Sequence, residues 1–212
     1  SNSRRLLALA LLFFFFYFER RTKMDQRFYD AVAASPVIAA VKDQAGLTRC
    51  LAEENIRVVF LLFGDICSIA DLVAQAKAAQ KIVIVHVDLV TGLSASREIA
   101  VDFIRTATQA DGIISTRPNF IRRAKELHMY TILRVFVIDS MALSSLENLE
   151  KVRPDFLEVL PGVMPKTIRQ ICKRVHTPVL TGGLIADKED VMNALNAGAM
   201  AISTTNPAVW CL

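Results

Sequence analysis

Two short apolar runs near the end of the chain finish on groups suited to holding an oxyanion. "PVLTGG" closes on Gly182 and Gly183, and "AISTTN" reaches Ser203 and Thr204. Glycine lets backbone N–H groups approach an oxygen closely, and a helix start just beyond adds a favourable dipole. "NPAVW", with Asn206 as cap and Pro207 in the first turn, fits such a short helix. The chemistry is phosphate binding, with Lys42 at the end of "VIAAVK" as a mobile positive charge. The plainer reading is a tight turn and hydroxyls that cap the chain.

A second set of residues carries acids, bases and hydrogen-bond partners: Asp65 after "VVFLLFG", His86 and Asp88 in "IVIVHVD", Arg134 in "TILRVFV" and Glu158 in "FLEVL". His86 and Asp88 are two apart, so a continuous strand points both the same way. Arg134 and Glu158 fall on neighbouring runs and are expected either to contact a ligand or to pair, because a lone buried charge is costly. Two stretches are basic. "RPNFIRRAKEL" groups Arg122, Arg123 and Lys125, and "PKTIRQICKRVH" sets Lys166, Arg169 and Lys173 at helical three- and four-residue steps without an acid. Such stripes bind nucleic-acid phosphates, although a solvated helix face reads identically. Stacking on unpaired bases needs aromatics, and Phe120 and Tyr130 are the two near a patch.

The elements that must position these residues form a regular series. Apolar, β-branched runs at 37–41, 58–63, 82–88, 112–116, 131–137, 156–160, 178–182 and 201–205 alternate with amphipathic stretches such as "SIADLVAQAKAAQ". Eight nearly all-apolar strands in alternation with helices predict a single-domain (β/α)8 barrel of TIM type. The span from Met24 is short for that fold, and the last helix is truncated. An amphipathic helix over 25–35 is expected to cover the bottom or the seam. The doubly wound open sheet is the alternative, but no topological switch is evident. In a barrel, the C-terminal strand ends form the ligand face, and the polar residues above gather there.

Composition narrows the function. The formal charge of +4 arises within residues 1–23, so from Met24 onward Lys plus Arg equals Asp plus Glu. Any nucleic-acid surface must then be a local patch. Four scattered cysteines, without a C-x-x-C, point to reduced thiols in a cytoplasm and away from a metal site or disulfide framework. Residues 1–23 stand apart: an apolar run from Leu6 to Phe18 between basic clusters is too short to span a membrane and lacks a small-residue cleavage site. They read as a tag or non-native apolar segment before the barrel of 24–212.

"VVFLLFGDICSI", "HVDLVTGLS", "ADGIISTRPNFIRRAKEL", "DFLEVLPGVMPKTI" and "LTGGLIADKEDVMNALNAGAMAISTTN" resemble the glycerol uptake operon antiterminator regulatory proteins over about Val37 to Trp210. The resemblance implies a cytoplasmic bacterial regulator that responds to glycerol 3-phosphate and binds the leader mRNA of a glycerol-uptake operon, preventing premature termination. Under that reading Gly182, Gly183, Ser203, Thr204 and Lys42 hold the phosphate, and Asp65, His86, Asp88 and Glu158 meet the glycerol hydroxyls. No catalytic residue, metal or cofactor is expected. The partners expected are the ligand, the RNA and a second copy of the chain, in a homo-oligomer whose association changes with ligand. Two other classes stay open: a barrel enzyme acting on a small phosphorylated substrate, with the acids and His86 as acid, base or Mg²⁺ ligands, and a sensor working through protein partners.

Overall fold

The structure, a computed structural model, describes residues 26–212. The apolar segment read as lying before the barrel, 1–23, is outside these residues. Eight parallel strands close in sequence order: β1 Val37–Val41, β2 Val58–Leu61, β3 Ile82–His86, β4 Gly112–Ser115, β5 Tyr130–Phe136, β6 Phe156–Leu160, β7 Val179–Gly182 and β8 Ala201–Thr204. Closure is made by β8 on β1, with Val37 opposite Ile202 and Ala39 opposite Thr204. This is the (β/α)8 barrel that the alternation predicts.

Strands this apolar pack on both faces. Alternate residues, among them Ile38, Phe60, Ile84, Ile132 and Leu180, fill the interior, and the others, such as Val59, Val83 and Ile113, meet the surrounding helices. The helices are α1 over 26–34, α2 Gln44–Ala52, α3 Ile69–Ala78, α4 Ile99–Ala107, α5 Pro118–Glu126, α6 Ser140–Glu150, α7 Pro165–Arg174, α8 Lys188–Asn196 and α9 Pro207–Trp210. Asp43, Asp139 and Asp187 cap α2, α6 and α8, each accepting from a backbone N–H in the first turn. Proline opens α5, α7 and α9.

Aromatic groups close the floor and the seam of the short barrel. Helix α1 closes the floor: the Phe28 ring lies 4.3 Å from that of Phe156 and 5.4 Å from that of Tyr130. In place of a full eighth helix, α9 covers the seam. Trp210 is 1% exposed, and its indole Nε1 donates to the Thr204 carbonyl at 2.9 Å.

Several strands end earlier than their sequence pattern suggests. β3 stops at His86 and passes into a 3-10 turn over Val87–Leu89. The continuous strand from which His86 and Asp88 were expected to point the same way ends between them, so strand alternation does not relate the two.

Candidate functional site

Inside the barrel, hydrophobic layers give way to polarity one step below the C-terminal rim. His86 on β3, Arg134 on β5, Glu158 on β6 and Ser203 on β8 are all buried, and Arg134 sits opposite Glu158 in the parallel register. The Arg134 Nε donates to Glu158 Oε2 at 2.7 Å, and the Ser203 hydroxyl donates to Glu158 Oε1 at 2.6 Å. Glu158 is 0% exposed and Arg134 9%, so each ion is the other's principal compensation. Of the two roles open to Arg134 and Glu158, this structure displays the pairing.

The same bonds explain Gly182. It lies opposite Ser203, and a Cβ there would stand 2.2 Å from the Ser203 Oγ and 3.2 Å from Glu158 Oε1. The bare backbone makes room for a carboxylate–hydroxyl bond. Gly183 is bare for another reason: its φ of +78° is left-handed, as is that of Leu184 at +63°. The Gly183 carbonyl accepts from the Gly162 N–H at 3.0 Å, tying the loop after β7 to that after β6.

His86 borders this group. Burial, with the positive charge of Arg134 adding to it, pushes the imidazole down to about 4, so the ring is neutral at pH 7. It is 3% exposed, and its Nδ1 has no hydrogen-bond partner. Unpaired polar atoms at such depth are uncommon, and a water or a ligand group can satisfy this one.

Other expected site residues serve their own loops. Beyond the 3-10 turn, Asp88 accepts from Ser115 Oγ at 2.6 Å and from the Thr116 hydroxyl and N–H. Burial would raise its pKa, but those hydrogen bonds outweigh it and hold the carboxyl below its usual range. Asp65 closes a turn on the N–H groups of Cys67 and Ser68 and on the Ser68 hydroxyl, led by that hydroxyl in keeping the carboxyl ionised. Both brace the loops around the mouth. The two hydroxyls expected to donate to phosphate are already committed, Ser203 to Glu158 and Thr204 to the Ile185 carbonyl at 2.9 Å. Lys42 is exposed at the rim beyond β1. Among the described residues no three His, Cys, Asp or Glu side chains gather as metal ligands.

The two basic stretches differ sharply. On α5, Arg123 is held by Asp102 at 2.5 Å and Glu126 at 2.7 Å, Lys125 donates to the Arg153 carbonyl, and Arg122 is exposed. The Asp102 bond, with Glu126 beside it, raises the Arg123 pKa. Arg123 is thereby neutralised, in part by Asp102 of the adjacent helix α4, which the sequence stretch alone does not reveal. On α7, Lys166, Arg169 and Lys173 are exposed, and among the described residues none of them makes an ion pair. Phe120 and Tyr130 are 0% and 1% exposed, so neither can stack on a base. Among the described residues the exposed aromatic, missed in the sequence, is Phe136 at the end of β5.

A cavity of about 570 Å³ lies at the opposite end of the barrel, lined by Arg27, Glu54, Arg57 and Lys81 among others, and contains none of the mouth residues. Among the described residues no helix is long and apolar enough to cross a membrane.

The sequence family model described as glycerol-3-phosphate responsive antiterminator matches residues 37–210, the whole barrel from β1 to α9. The chain belongs to that family. Among solved structures the chain is similar to the glycerol uptake operon antiterminator regulatory protein of Listeria monocytogenes, 37% identical, with a TM-score of 0.79 over 83% of this chain and 95% of that one. A glycerol uptake operon antiterminator-related protein of Thermotoga maritima is 33% identical, with a TM-score of 0.73 over 83% and 98%. The uncharacterized protein YgcP of Escherichia coli (strain K12) is 40% identical over 179 residues, 84% of this chain and 93% of that protein. Family membership gives the chain a regulatory role.

Proposed function

We propose that this family member senses glycerol 3-phosphate at the C-terminal mouth of the barrel and acts as an antiterminator by binding the leader mRNA of a glycerol-uptake operon. The observation that carries the ligand site is the buried set His86, Arg134, Glu158 and Ser203 at one end of an otherwise apolar barrel, with the His86 Nδ1 unpaired. A neutral imidazole and a buried carboxylate suit hydroxyl groups, which both donate and accept.

Because the Ser203 and Thr204 hydroxyls are committed within the protein, the phosphate falls to the backbone N–H groups of the Gly183–Leu184 turn and to the charge of Lys42. The anion sits above the Glu158 carboxylate, whose charge Arg134 offsets. The RNA reading rests on the family and on the unpaired α7 stripe, which supplies affinity without sequence selectivity.

Measuring leader-RNA affinity with and without glycerol 3-phosphate, for the wild type and for Gly183→Asp, tests the reading. The ligand is expected to change RNA affinity in the wild type, and the carboxylate introduced in the variant to abolish that response. An unchanged affinity on adding ligand refutes sensing. Chemical turnover of the ligand replaces the regulator with an enzyme. RNA binding absent in both states leaves a sensor that works through protein partners.

A further inference from the structure

The rim above the mouth carries more exposed apolar surface than a ligand pocket needs. Phe136 is 53% exposed, Ile138 83% and Met141 79%. Phe136 ends β5, Met141 lies in the first turn of α6, and Ile138 lies in the loop between them. Among the described residues Phe136 is the exposed aromatic; the others are buried or half-buried. We propose that Phe136, flanked by Ile138, is a base-stacking platform for single-stranded RNA, and that the α7 stripe holds the phosphates of the same strand. This rests on the RNA-binding reading above and names the surface that would serve it.

Contiguity comes from the strand register. Phe136 pairs with Leu160 on β6, and the Val137 N–H donates to the Leu160 carbonyl at 2.9 Å. From Leu160 the chain takes four residues to reach α7, and Lys166 is the second residue of that helix. Lys166 therefore starts at the rim beside the platform, and the stripe runs down the outer wall to Lys173. Seven residues of helix span about 10 Å, room for two or three phosphates. A strand that stacks one base on Phe136 thus meets unneutralised positive charge on leaving it.

Charge decides the kind of partner. Lys166, Arg169 and Lys173 lack acid partners among the described residues, whereas Arg123 on α5 is neutralised by Asp102 and Glu126. An aromatic beside a positive track is the combination that single-stranded nucleic acids use, since every base presents a π-face and the backbone is anionic. A second copy of this chain docking on the same face would bring a stripe of the same sign against it.

The platform also lies where the ligand can act on it. Arg134 precedes Phe136 by two residues, so both project from the same side of β5. A molecule seated against Arg134 and Glu158 would then lie on the side of β5 from which Phe136 projects, one alternate position further along the strand. Coupling between ligand and RNA then needs no distant relay.

The test measures affinity for a transcript of the operon leader by fluorescence anisotropy, across a salt series, with glycerol 3-phosphate binding and a thermal melt as controls on folding. Phe136→Ala is expected to weaken binding roughly tenfold or more. Phe136→Trp is expected to retain affinity and to show quenched indole emission when RNA is added. Reversing charge at Lys166, Arg169 and Lys173 should weaken binding and reduce the log–log salt slope by about two. If the wild type binds RNA responsively and Phe136→Ala binds equally well, the platform is overturned while the proposed function stands. If the wild type fails to bind RNA, both fall together. Loss of self-association in Phe136→Ala with RNA affinity unchanged assigns the face to a second copy and overturns the proposal.

Discussion

Removing the Glu158 carboxylate is the most direct probe of the polar layer under the mouth. Glu158→Ala deletes the acceptor of two bonds, 2.7 Å from Arg134 Nε and 2.6 Å from Ser203 Oγ. It leaves a guanidinium that is 9% exposed without its counter-ion. Breaking one side of such a pair costs about 3–5 kcal/mol, a large share of the 5–15 kcal/mol that holds a typical domain. Replacing both partners with apolar groups of similar size, as in Arg134→Met with Glu158→Leu, removes the stranded charge and should recover most of that loss. Urea denaturation at pH 7 followed by circular dichroism, for Arg134→Met, Glu158→Leu and the double, yields the coupling as a double-mutant cycle, with Glu158→Ala measured beside it. A Glu158→Ala cost below about 1 kcal/mol, or a double variant no more stable than Glu158→Ala, would refute the pairing as the layer's main compensation.

Two further outcomes follow from the same layer. Gly182→Ala should destabilise by about 1–3 kcal/mol through overpacking, and adding Ser203→Ala, which removes the oxygen standing 2.2 Å from the new methyl, should relieve much of it; equal costs in the two backgrounds, measured by urea midpoints, would place the clash elsewhere. His86 makes stability depend on pH: the unfolded imidazole takes a proton near 6.5, the folded one only near 4. Between those values the unfolded state holds more protons, so stability falls as pH drops from 6.5 to 4, by on the order of 3 kcal/mol in total, and levels off below. Denaturation curves from pH 7 to 4 should show a shallower decline for His86→Gln than for the wild type, and parallel declines would count against a neutral buried imidazole.

The barrel was legible because eight runs are apolar on both faces, a pattern few other arrangements bury. Within strands, two-residue alternation relates the inward-facing polar residues to one another. His86, Arg134, Glu158, Gly182 and Ser203 share the inward face at one end, and each lies inside a strand as built. The rule lost its hold once strands stopped. Asp88 lies past a 3-10 turn and Asp65 in a loop closed by its own carboxylate, and nothing in a two-residue period encodes either. Hydroxyl identity was visible but hydrogen-bond direction was not, so Ser203 and Thr204 read as phosphate donors although their protons go to Glu158 and Ile185. Arg123 looked like a free cation because Asp102, its partner, comes from a different helix. Phe136 was hidden in "TILRVFV", where it reads as core, because its exposure depends on β5 ending at the rim.

The ring cluster of Phe28, Tyr130 and Phe156 gives the barrel a closed bottom. A small molecule held in the polar layer therefore has one door, the rim by which it entered. Anything large enough to lie across that opening governs how long the guest stays, so occupancy outlasts the free concentration that established it for as long as the cover remains.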